Sequence, residues 1–314
     1  MNMNERFDKR MSFNKIKTQQ IRDALQYSGY LLEQRICPIL EKFKYNVITN
    51  TPYEDIDSGE SRELDADATR SIKLSESEDI LDSFEVEILI ACKNNHFPIV
   101  GFTRKATFLG QFDIAVACCS VPWFFEGVPM EYELADVVSH YRECEYIATQ
   151  FCTVKHGAGG KNEANHGELY GTLYGLCKAT RSKEKEYNEY IKVNADHQSS
   201  KEAALFIKII YPVILFSGDL YECKTKGSRY KIKENDHMVL IHSISSRNMK
   251  ANYCIDMIKE SYLPKYLSNV ANETEKMRKL FLRNIKELKE NASKNFAEIR
   301  NQQTKDRFRI AREQ

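Results

Sequence analysis

Three side chains stand in an order that suits phosphate chemistry: Glu33 in GYLLEQRI, Asp65 in SGESRELDADA and Lys93 at the end of VEILIACK. Carboxylates can hold a hard divalent cation such as Mg²⁺, which takes oxygen ligands and keeps several waters. Such a cation stabilises the charge that develops on a phosphodiester under attack, and it supplies or orients hydroxide. An amine beside it can position the attacking water or help deprotonate it. Residues two apart on a strand share a face and sit about 6.5 Å apart. Side chains at 91 and 93 would therefore both face Asp65 on a neighbouring strand. The backbone carbonyl of Cys92, between them, is an additional candidate metal ligand.

The elements that must position these groups follow from periodicity. Phe13–Phe43 carries Ile21, Leu25, Leu32, Ile36, Leu40 and Phe43 at helical spacing. Ser28-Gly29 interrupts that helix, and Pro38 should kink or end its second half. Tyr45–Asn50 and Arg62–Thr69 read as strands. Phe84–Cys92 starts half-polar and becomes continuously apolar, as a strand does when it enters a sheet covered on both faces. Glu33 thus falls on a helix, Asp65 on the second strand and Lys93 at the end of the third.

Further along, Phe112–Ser120 reads as strand, Met130–Phe151 as helix, His156–Lys161 as a glycine-rich loop and Gly167–Tyr190 as helix. Strands follow at Ala203–Phe216, Asp219–Lys224, Ser228–Lys233, Met238–Ser243 and Asn252–Met257. From Pro264 a long helix carries the stripe Met277, Phe281, Ile285, Leu288, Ala292, Phe296 and Ile299, suited to packing or dimerisation.

In the order helix, strand, strand, the stretch from Ser28 to Thr103 resembles the PD-(D/E)xK nuclease superfamily, which includes restriction enzymes and Holliday-junction resolvases. In that family an Asp-bearing strand precedes one ending in Glu-x-Lys, and an earlier helix often adds a Glu. The resemblance implies an α/β fold: a restriction-endonuclease-like mixed sheet flanked by helices, with a β-rich extension and a long C-terminal helix. It divides the chain into a nuclease domain with its extension at 13–262 and a helical segment for packing or oligomerisation at 263–314. It also implies Mg²⁺ or Mn²⁺ as cofactor, held by Asp65, Glu33 and Cys92, with Lys93 serving the water.

One position departs from the family pattern: residue 91 is Ala, where the pattern has an acid. Glu87 shares its face but lies about 13 Å away along the strand, too far to share a coordination sphere. Asp67, about 6.5 Å from Asp65 on the same face, is one substitute; Glu33 on the helix is another. A naturally inactive descendant and an engineered replacement of a glutamate are two further explanations. The intact motif on either side of Ala91 favours the replacement.

The function implied is Mg²⁺-dependent hydrolysis of DNA, double-stranded first and RNA as a third reading, in cytoplasmic anti-phage defence. A homo-oligomer and a partner ATPase are consistent with the family. The rival is a nuclease-fold subunit that has lost its chemistry and binds DNA or scaffolds an assembly.

Composition bounds these readings. The chain has 314 residues, 42% hydrophobic and 29% charged, enough to bury a substantial core. Its nine cysteines are scattered without a CxxC pair, which argues for reduced thiols and against a zinc site. The N-terminus is polar and no apolar run reaches the ~20 residues of a membrane span.

Net charge is +1, but Glu54–Glu87 holds thirteen acids against three bases and Leu263–Gln314 thirteen bases against seven acids. The first stretch can gather cations and the second can follow phosphates. Tyr170, Tyr174, Lys178, Arg181 and Lys183 on one helix, and Lys224–Lys233 around a hairpin, read as solvated faces able to meet nucleic acid. His156-Gly-Ala-Gly-Gly-Lys161 lacks phosphate-loop spacing.

Overall fold

The computed structural model describes residues 16–74, 82–106, 144–157, 160–165, 167–195, 205–290 and 293–294. Helix α1 (Thr18–Tyr27) stops where the Ser28 hydroxyl donates to the carbonyl of Leu25 at 2.8 Å, and α2 (Tyr30–Lys42) starts directly after. Pro38 does not end α2, which runs four residues past it.

The strands are β1 (Asn46–Glu54), β2 (Ser61–Lys73), β3 (Ser83–Lys93), β4 (Ile99–Lys105), β5 (Tyr146–His156) and β6 (Asn162–Asn165), followed by helix α3 (Gly167–Ala195). Then come β7 (Phe206–Phe216), β8 (Leu220–Lys226), β9 (Arg229–Glu234), β10 (His237–Ser245) and β11 (Lys250–Lys259). A short 3₁₀ turn (Glu260–Tyr262) leads into α4 (Leu263–Arg283). Among the described residues no helix is long and apolar enough to cross a membrane.

These strands form one mixed sheet in the order β1-β2-β3-β7-β11-β10-β5-β4-β8-β9, with β6 on β5. β3 lies between antiparallel β2 and parallel β7. Its alternation explains why its sequence is apolar on both faces. Phe84, Val86, Ile88 and Ile90 pack with Leu32, Ile36 and Leu40 of α2 and with Tyr266, Val270, Met277 and Phe281 of α4. Leu89 and Ala91 pack on the opposite face with Leu169, Leu173 and Leu176 of α3. The chain is thus a mixed α/β protein whose sheet is flanked by helices. The stripe of α4 is spent within the chain: Phe281 meets Phe84 edge-on, ring centroids 5.1 Å apart.

Two readings change. The helix expected to run to Phe151 gives way to strand β5 from Tyr146, where Ile147, Thr149, Phe151 and Thr153 alternate as β-formers. β4, a short run that follows Pro98 and contains Gly101, pairs with β5 on one side and β8 on the other. The Phe112–Ser120 strand and most of the Met130–Phe151 helix lie outside the described residues.

Candidate functional site

The site begins with a break in the sheet. β1 and β2 pair on both sides of Asn50 and Asp65 but not at them, and Asn50 takes a left-handed φ of 53°. The break turns the strand over. Ala66 and Ala68 lie in the core under α2 and α4, whereas Leu64 lies with Tyr53 in the core under α3. On the other side of β2, pairing with β3 ends at Ala66↔Ile90. Asp65 occupies the gap that opens there. Its Oδ2 accepts the backbone N–H of Cys92 at 2.6 Å, taking the place of a ladder carbonyl.

The same bond fixes the direction of Cys92. Its N–H points towards β2, while the carbonyl of the next residue, Lys93, accepts Ser217 N–H at 3.1 Å on the β7 side. Successive residues of a strand alternate in this respect, so the Cys92 carbonyl is aimed past the end of the β2–β3 ladder, on the side of Asp65.

Asn94, directly after β3, brings in the helical residue. Its side-chain amide donates to the carbonyls of Gln26 and Ser28 at 2.8 and 2.9 Å, and its oxygen accepts from the Ser217 hydroxyl at 2.8 Å. The α1–α2 junction is thereby tied to the ends of β3 and β7. Glu33, in the first turn of α2 and nearly buried, comes within electrostatic reach of Asp65.

A pocket of about 500 Å³ opens on the α3 face, lined by Tyr53, Arg62, Asp65, Ala91 and Lys93 of the sheet and by Gly171, Thr172 and Gly175 of α3. Asp65, Ala91 and Lys93 therefore share one wall, as their spacing implies. Glu33 does not line this pocket; it approaches Asp65 from the α2 side. The Tyr53 hydroxyl donates to the carbonyl of Gly175 at 3.1 Å and pins helix to sheet. At Gly171 a Cβ would meet nothing within 4 Å. Mid-helix glycine costs about 1 kcal/mol relative to alanine, and packing does not demand it here. Its absent side chain leaves the pocket open.

Burial, and then the neighbouring Asp65 carboxylate, push the Glu33 carboxyl above its usual range. Burial likewise raises Asp65, partly offset by the Cys92 N–H and by Lys93. Two acids kept apart from water and repelling each other are suited to a cation. Asp65, Glu33 and the Cys92 carbonyl supply hard oxygens, and Mg²⁺ commonly uses one or two carboxylates with waters and substrate phosphates. Among the described residues no group of three or more histidines, cysteines, aspartates or glutamates is placed so that it could hold a metal ion. The donors are of the hard-oxygen type that Mg²⁺ takes, and Ala91 lies on the pocket wall that Asp65 and Lys93 share.

Asp67 does not substitute for that carboxylate. It is buried under α3, where Lys183 holds it at 3.0 Å, and it is absent from the pocket wall. The cluster continues along β3 and β7: Lys208 lies 3.2 Å from Glu87 and 3.5 Å from Glu85. Burial pushes the Glu87 carboxyl up to about 7, beyond what Lys208 and Lys183 offset. Between the ordinary glutamate value of 4.5 and about 7 the folded chain holds a proton that the unfolded chain releases. Stability conferred there is greatest at the acid end and declines as pH rises through that window. Urea midpoints at pH 5 and pH 7.5 should differ less in Glu87→Gln than in the parent chain. An unchanged difference would mean that Glu87 does not titrate as argued.

A second network braces the pocket from outside. Lys178 of α3 donates to both oxygens of fully buried Asp55, at 2.7 and 2.9 Å, and Arg62 reaches the same carboxylate at 2.7 Å. Asp57 accepts from Tyr174 at 3.1 Å and from Ser246 at 2.8 Å. Lys178 and Lys183, read from sequence as part of a solvated face, thus point inward to acids more than a hundred residues away. No local pattern announces such pairs. His156, in the glycine-rich stretch, is occupied with Asn162 at 2.9 Å.

Comparison of the chain with protein-family models, with curated proteins and with solved structures yields no match in any of the three.

Proposed function

We propose that this chain carries a Mg²⁺-dependent nuclease site of the restriction-endonuclease type, built to hydrolyse phosphodiester bonds of DNA. The observation that carries the reading is the placement of Asp65 in the gap where β2 leaves β3, bonded to Cys92 N–H, with Ala91 and Lys93 on the same pocket wall. Asp65 and Glu33 would hold the metal, and the Cys92 carbonyl would add an oxygen. The metal, when bound, stabilises charge on the phosphate and lowers the pKa of a water. Lys93, as an ammonium, would orient the attacking water, whose proton would pass to bulk solvent. The pocket accepts one phosphodiester and the sugars beside it, and Arg62 adds positive charge at its edge.

Position 91 is the weak point of the site. A carboxylate there stands beside Lys93 and opposite Asp65, and with alanine the metal has one oxygen fewer. This observation favours a second reading, in which the chain is a nuclease-fold subunit that binds DNA or scaffolds an assembly without cutting. Role in anti-phage defence, cytoplasmic residence, a homo-oligomer and a partner ATPase accompany the first reading by analogy only.

Metal binding tests the site apart from catalysis. Titration calorimetry with Mn²⁺ should give a binding isotherm for the protein and a flat trace for Asp65→Asn, with thermal stabilisation by Mn²⁺ lost in parallel. Equal binding by both proteins would place the metal elsewhere and remove the basis of the proposal.

A further inference from the structure

The far edge of the sheet carries a second feature, independent of the pocket. All six residues of β9, RYKIKE, are exposed. Alternation places Arg229, Lys231 and Lys233 on one face of that strand and Tyr230 and Ile232 on the other. The acids nearest this row are already engaged. Glu222, directly across from Lys233, is buried and accepts from the Thr103 hydroxyl at 2.9 Å, with Lys224 at 3.5 Å. Glu234 is held by Lys259 at 2.8 Å. Lys224, across from Lys231, leans on the ring of Tyr146 at 3.4 Å. No ion pair to Arg229, Lys231 or Lys233 occurs among the described residues.

Like charges directly opposite each other destabilise a strand pair, so the row costs the fold something that no internal partner returns. A lysine on an edge strand also deters unwanted strand pairing, but one would suffice. Cations at every second residue are about 6.8 Å apart, and three of them span roughly 14 Å. That length corresponds to about four phosphates of one duplex strand at 3.4 Å axial spacing. The row matches a linear array of charge better than a single anionic group.

We propose that the β9 face, through Arg229, Lys231 and Lys233, is a docking surface for the phosphate backbone of nucleic acid. It deepens the nuclease reading and rests on it: the pocket acts on one phosphodiester, and the edge strand holds the polymer by charge without reading sequence. Each phosphate neutralised releases condensed counterions, so binding weakens as salt rises.

Anisotropy of a labelled DNA duplex with the full chain, between about 50 and 200 mM salt, tests this. Compared with the parent, the triple variant Arg229→Gln, Lys231→Gln, Lys233→Gln should bind at least about tenfold more weakly at the low end. Its log–log salt slope should be shallower by roughly 2.7, at 0.9 per lost contact. Single-stranded DNA and duplex RNA of equal length identify which polymer is preferred; preference for either still supports phosphate docking. Equal affinity and slope in parent and triple variant would overturn the docking surface and leave the nuclease reading standing. Stronger binding to phosphatidylserine vesicles or to polyglutamate than to any nucleic acid would also overturn it. Absence of nucleic-acid binding by the parent would overturn both.

Discussion

Replacing Lys93 by alanine in a chain that also carries Ala91→Glu should lower DNA cleavage by about 10²- to 10⁴-fold, the usual contribution of a positioned acid–base group. The expectation rests on where the lysine stands. It ends β3 on the face that carries Ala91, at the wall of the pocket that Asp65 also lines. Its charge is among the influences that draw the Asp65 carboxyl down against burial. Alanine at 93 removes the group that positions the water without disturbing the Cys92 N–H bond to Asp65, which is a backbone contact. Metal affinity in the same variant should therefore change little. A loss of Mn²⁺ binding equal to the loss of cleavage would mean that Lys93 acts on the site's assembly and not on water.

The second large effect is on stability. Lys178→Met should destabilise the chain by about 3 kcal/mol, the low end of the range for removing one partner of a buried pair. Asp55 is fully buried and would keep only Arg62 and two backbone N–H groups as partners. Most of the cost is the carboxylate left without its closest cation. Combining Lys178→Met with Asp55→Asn should therefore cost less than the two single changes added together. Urea unfolding of the four proteins checks this, and simple additivity would show that the pair is not coupled. Because Arg62 and Tyr53 line the pocket, Lys178→Met should also loosen the substrate wall.

The placement of Ala91 and Lys93 on one wall with Asp65 is legible because strand periodicity is a local property. FEVEILIACK announces a strand covered on both faces, and its last residue falls at the sheet's end, where β3 gives way to Asn94. Asp65 was legible as an acid on the preceding strand, but Asp67 looked equivalent to it. What separates them is the break at Asn50 and Asp65, which turns β2 over and leaves Asp67 to Lys183. A positive φ at one asparagine in YNVITNTPYE carries no sequence signature strong enough to locate that break.

The α3 contribution was legible as a helix but not as a pocket wall. Gly171 matters through what it leaves empty, and Tyr53 meets Gly175 across 122 positions of chain. Inward-facing Lys178 and Lys183 looked like a solvated basic face for the same reason. Strand β5 was lost to a helix reading because an acidic, helix-like run was extended past Glu145 into alternating β-formers. Of the C-terminal apolar stripe, Met277, Phe281, Ile285 and Leu288 pack in the core on this chain's own sheet, and Ala292, Phe296 and Ile299 lie outside the described residues. Phe281 against Phe84 joins the C-terminal helix to β3 in one core.

The measurement that bears most directly on the central claim is plasmid nicking in Mg²⁺ or Mn²⁺, comparing the protein as it stands with Ala91→Glu. The account predicts cleavage in Ala91→Glu that exceeds the parent's and disappears on chelation of the metal. If Ala91→Glu folds, binds Mn²⁺ and cuts neither DNA nor RNA above the parent, the pocket around Asp65 and Lys93 is not a nuclease site.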